Sequence, residues 1–229
     1  MAISKKNRKA LSRRKIKQKK RVQRSKAFTA GLNVGGMVRK SGSWPLVECL
    51  IPVEWQETEQ IQQICIVRQS PATGMVAAGV YLVDLACLGV KNAYAAPFHS
   101  VREYQEKLRT KLAEGQEMME ADINLAAKII DESIVYAKSL GLKPHKDIRQ
   151  ANWVRGETHP EMCDEDIPVG GSDGKPLFVQ GPYDNVDKIM RILDRTVGRE
   201  NYHYLLAVGD PFNTDMEMYD EDFDEFDED

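Results

Sequence analysis

Asp84 is the residue of this chain whose type and place most invite chemistry. It interrupts Val80-Tyr81-Leu82-Val83 and Leu85-Ala86-Cys87-Leu88, a run that otherwise belongs in a core. A lone carboxylate is costly to bury, so it must find a partner or sit where a strand end meets a cleft. Lys91, seven residues on, is a candidate partner. A carboxylate on a central strand is also where a metal-dependent nuclease or related hydrolase can hold a divalent ion. That chemistry needs a second carboxylate near it, and Asp147, Asp184 and Glu132 are available. The plainer role for Asp84 is to cap a helix or tie down a loop.

His145 is the second candidate catalytic residue. It lies in Leu142-Lys143-Pro144-His145-Lys146-Asp147, a polar turn after a long helical pattern, where an imidazole can act as a base or touch a phosphate. In such a turn Asp147 is also suited to capping the next helix. Residues 169–176 have the glycines and the lysine of a phosphate loop but not the order: Pro176 follows Lys175 where a Walker motif needs Ser or Thr. Asp173-Gly174 reads as a tight turn. His159 and Cys163, with Asp164, Glu165 and Asp166 after them, supply two soft ligands, too few for a zinc site. Neither Cys87 nor Cys163 lies in a nucleophile motif. No metal ligands are assigned, and no cofactor is expected beyond a divalent metal should the nuclease reading hold.

Charge is distributed as unevenly as chemistry is sparse. Residues 1–27 contain thirteen cations and no Asp or Glu: Lys5, Lys6, Arg8, Lys9, Arg13, Arg14, Lys15, Lys17, Lys19, Lys20, Arg21, Arg24 and Lys26. Residues 215–229 contain ten Asp and Glu and no Lys or Arg. The net charge of -3 conceals this dipole. A cationic arm of this density neutralises phosphates and binds nucleic acid without regard to sequence. With no aromatic residue before Phe28, it offers no platform on which bases can stack. The acidic tail is the nearest competitor for it. The expected partner is nucleic acid, RNA or the ribosome in particular; a module that binds another protein is the bland alternative.

The elements that must position these residues follow from periodicity. Residues 46–53, 62–69 and 75–88 read as strands, the last two joined as a hairpin through Ser70-Pro71-Ala72-Thr73-Gly74, with Gly79 as a bulge and Gly89 closing the run. Residues 101–113 and 121–140 read as amphipathic helices, the second ended by Gly141. A short helix over 145–154, an acidic loop over 157–168, a short strand over 177–180, a helix over 185–197 and a last strand over 201–208 complete the pattern. Asp131 and Glu132 lie off the apolar face of their helix. Strands first and helices after predict an α+β fold, a mostly antiparallel sheet with packed helices.

The predicted organisation is a basic arm over 1–27, disordered or inducibly helical, a Gly/Ser linker over 28–43, a single domain over 44–208 and a disordered acidic tail over 209–229. The four cysteines are scattered and suit a reducing compartment. No apolar run is long enough to span a membrane, and the N-terminus lacks the apolar stretch of a secretory signal. Three blocks, residues 81–91, 141–147 and 173–184, resemble a family of uncharacterised bacterial proteins across roughly 44–208. The resemblance implies that 44–208 folds as one unit with appended ends and that the compartment is a bacterial cytoplasm. It carries no activity and no site residue.

Overall fold

Residues 64–67 are apolar at every position, so successive side chains must be buried on opposite faces of a sheet. The computed structural model describes residues 34–206 and shows this arrangement. In chain order its elements are α1 (Val34–Lys40), a 3-10 turn (Ser41–Ser43), β1 (Leu46–Pro52), β2 (Ile61–Gln69), β3 (Val76–Asp84) and β4 (Gly89–Phe98). Next come α2 (Val101–Tyr104), which runs through a π turn (Gln105–Arg109) into α3 (Thr110–Gly115), then β5 (Met118–Glu120), α4 (Ile123–Ser139) and α5 (Ile148–Arg155). A 3-10 turn at Pro160–Met162, β6 (Leu177–Val179), α6 (Val186–Thr196) and β7 (His203–Leu205) follow.

The main sheet has the order β4-β3-β2-β1-β5 and is antiparallel throughout. On one face Ile64, Ile66, Tyr81 and Val83 pack under Ala126, Ile129 and Ile130 of α4 and Ala151 of α5. On the other, Cys65, Val67, Val76, Ala78 and Val80 pack under Tyr104, Leu108 and Leu112, which recur every fourth residue along α2 to α3. The fold is therefore α+β, with helices on both faces of an antiparallel sheet. A third cluster lies beyond the β3–β4 turn: Cys87, Leu88, Ala137, Leu140 and Leu142 meet Phe178, Leu193 and Tyr202. This cluster seats α6 and a two-stranded parallel sheet of β6 and β7 on the C-terminal half of α4.

Several expectations need correction. Residues 34–43 are not a linker. They form α1 and the 3-10 turn, with Val38 buried against Ala77 and Val154. A Cβ on Gly42 would lie 2.6 Å from the Trp153 carbonyl and 2.9 Å from Gly156 Cα, so the glycine is there for close approach. The described body thus begins at 34 and not at 44. Gly79 is not a bulge: it sits in regular register between Ile66 and Ala95, and the irregularities fall at Leu82/Val83 and Leu46/Glu48. A Cβ on Gly79 would lie 2.9 Å from the Ala151 carbonyl, so its absence lets α5 sit on the sheet.

The long run over 75–88 is a strand followed by a buried turn, and Gly89 does not close it but opens β4, a strand the periodicity does not reveal. Gly89 has φ +67°, and a Cβ there would meet the Ser133 carbonyl and Ala137 Cβ at 2.8 Å. Among the described residues no helix is long and apolar enough to cross a membrane.

Candidate nucleic-acid interface

Asp84 ends β3, 4% exposed. Its Oδ1 accepts from the Cys87 N–H at 2.9 Å, and the Ala86 and Leu88 N–H groups also bond the carboxylate. Burial pushes its carboxyl up to about 6; these N–H groups and the charge of Lys91 pull the other way without cancelling it. Lys91 does not pair with Asp84 directly. Its Nζ bonds Asp184 Oδ2 at 2.7 Å, and the same oxygen accepts from the Gly181 N–H at 2.7 Å. Burial also pushes the Cys87 thiol up, so it stays protonated and a poor nucleophile.

His145 is held elsewhere. Its N–H donates to the Val90 carbonyl, and its Nδ1 accepts from the Asp147 N–H at 3.3 Å. Asp147 makes no side-chain cap to α5, contrary to expectation; His145 organises that turn instead. Glu132 is exposed, and Asp131 bonds Arg155 Nη1 at 2.7 Å. Among the described residues no three of His, Cys, Asp and Glu stand together as metal ligands. The glycine loop is a turn: Gly171 N–H bonds the Lys175 carbonyl, Gly174 N–H bonds the Gly171 carbonyl, and Asp173 ties Lys175 N–H and His203 Nε2.

The three blocks 81–91, 141–147 and 173–184 do converge on the turn after β3. Val90 meets His145, Lys91 meets Asp184, and the Ala86 carbonyl accepts from Leu177 N–H. Their shared work is to join the small sheet to the large one.

A different arrangement stands at α1 and α5. In α5, Ala151 and Val154 turn inward to the sheet, which leaves Arg149, Gln150 and Trp153 on a face toward α1. Gly35, Gly36 and Arg39 of α1 complete a groove of about 440 Å³. The guanidinium carbons of Arg39 and Arg149 lie 4.7 and 5.8 Å from the centre of the Trp153 ring, within the roughly 6 Å reach of a cation–π contact. Lys40 and Lys146 are exposed nearby in sequence, and none of the five residues lining the groove is acidic.

The end of α5 is fixed by buried Arg68 of β2. Its Nε donates to the Val154 carbonyl, Nη2 to that of Arg155 and Nη1 to that of Trp44, at 2.7–2.8 Å. One guanidinium thus caps the helix and pins the segment leaving α1. Linear reading misses this groove because Arg39 and Arg149 are far apart in the chain. The one local trace is Arg149 four residues before Trp153, which places both on one side of a helix.

The thirteen cations of residues 1–27, residues 28–33 and the acidic tail lie outside the described residues. Comparison with protein-family models, with curated proteins and with solved structures returned no match.

Proposed function

We propose that the protein is a nucleic-acid-associated binding protein, with RNA or the ribosome its partner in a bacterial cytoplasm. Its basic arm supplies affinity without sequence selectivity, and the acidic tail competes for the arm. The observation that carries this reading is the thirteen Lys and Arg, with no acid, in residues 1–27. Phosphate neutralisation by so many cations releases counterions and yields steep salt dependence. The arm joins the described body at α1, whose last turn adds Arg39 and Lys40.

RNA titrations at two salt concentrations test it, comparing the full chain with chains lacking 1–27 or 215–229. Residues 34–43 must be kept, because they pack on the body. The full chain should lose at least about a hundredfold in affinity between 50 and 200 mM salt. Loss of 1–27 should abolish most binding and most of the salt slope. Loss of 215–229 should tighten binding at low salt. Equal affinity with and without the arm defeats the reading; unchanged affinity without the tail removes only the competitor.

A further inference from the structure

We infer that the α1–α5 groove holds one unpaired nucleobase of a single strand, stacked on Trp153, so that the body reads base against no base where the arm reads only phosphate. The inference rests on the nucleic-acid reading above and adds a second, chemically distinct contact to it. Single strands are held by aromatic rings that stack bases, combined with cations that track the backbone. The arm has the second property and lacks the first. The groove has both.

Four observations support the assignment. The groove is about 440 Å³, inside the range of roughly 300–1,000 Å³ for ligand clefts. Its aromatic wall, Trp153, is half-buried while Arg39 and Arg149 over it are exposed. Either guanidinium can leave the ring for a phosphate and free a face for a base, and a guanidinium plane can itself stack on one. The opposite wall includes Gly35, where a Cβ would meet no described residue within 4 Å beyond its chain neighbours and the helix's own backbone. The exposed Gln150 amide brings both donors and an acceptor to the edge, the pair of functions a base edge requires.

Position argues the same way. The groove begins at Gly35, immediately after Val34, where the chain arrives from the arm. A strand captured by the arm is therefore delivered beside Trp153. The ring is also preorganised. Arg68 holds the carbonyls of Val154 and Arg155, and Gly42 abuts the Trp153 carbonyl, so little order has to be imposed on binding.

The full-length protein is titrated with oligo(dT), oligo(U) and an abasic deoxyribose strand of equal length. All three present the same phosphates, and only the third lacks bases. The wild-type chain should bind a base-bearing strand about tenfold more tightly than the abasic one, the gain typical of one stacked base. Tryptophan emission should be quenched by the base-bearing strand and not by the abasic one. Trp153→Leu should remove the preference and keep the abasic affinity. If that variant does not fold, the wild-type quench decides. Equal binding of base-bearing and abasic strands, an absent quench, or a preference that survives Trp153→Leu overturns the inference and leaves the arm reading standing. No binding of any strand removes both.

Discussion

Asp84 holds the turn between β3 and β4 under a penalty set by pH. Its carboxyl, ordinarily near 3.8, titrates at about 6 because burial disfavours the anion. The protonated form therefore favours the fold. Its contribution is fully present below about pH 4 and is lost as pH rises through 6. Asp84→Asn keeps an oxygen for the Cys87 N–H and never ionises. Relative to wild type, the variant should gain about 3 kcal/mol between pH 4 and pH 8, read from denaturant unfolding at both. Parallel stability curves for the two proteins would show that the turn solvates its carboxylate. The oddity of Asp84 was legible as a sequence break in an apolar run. Its duty was not, because the N–H groups that accommodate it belong to a turn whose residues are themselves apolar.

At the scale of elements, the contact between α5 and the sheet depends on a missing side chain. Gly79→Ala places a methyl 2.9 Å from the Ala151 carbonyl and 3.1 Å from Val154 Cβ. α5 must then lift from β3, which should cost about 1–3 kcal/mol as overpacking does and raise amide exchange at Ala151 and Val154. An unchanged melting temperature would mean that α5 is loosely seated. What was legible at this scale was what periodicity marks. β1, β2, the long amphipathic α4 and α6 stood where apolar spacing put them, and Gly141 did end α4. β4 was invisible because it is an edge strand, half exposed, with Lys91, Asn92 and Pro97 breaking any alternation. The sequence run reads longer than β3 because Leu85, Cys87 and Leu88, buried in the turn beneath α4 and α6, continue the apolar pattern past Asp84, the strand's last residue. Residues 34–43 read as a linker because Gly35, Gly36 and Gly42 are poor helix residues; burial of Val38 and the seat of Gly42 on Gly156 override that preference.

For the whole molecule, the polar part of the joint between the large sheet and the small one includes the Lys91–Asp184 pair, with side chains 16% and 15% exposed. Asp184→Ala strips Lys91 of its partner and Gly181 of its acceptor. Removing one member of this part-buried pair should destabilise by about 1–3 kcal/mol. The loss should show as faster hydrogen exchange in β6 and α6, with β2 and β3 spared. A uniform change across the chain would mean that the two sheets unfold as one unit. The ends of the body bear tension differently. A pull on the chain ahead of Val34 is handed through α1 to Gly42, wedged on Gly156, and to the Trp44 carbonyl gripped by Arg68. Arg68 belongs to β2, the middle strand of five, so the load is carried into the stiffest part of the molecule. A pull beyond Leu206 meets β7, whose pairing is three residues long. The protein is mechanically polar: firm when drawn by its cationic end, easily peeled from its acidic one.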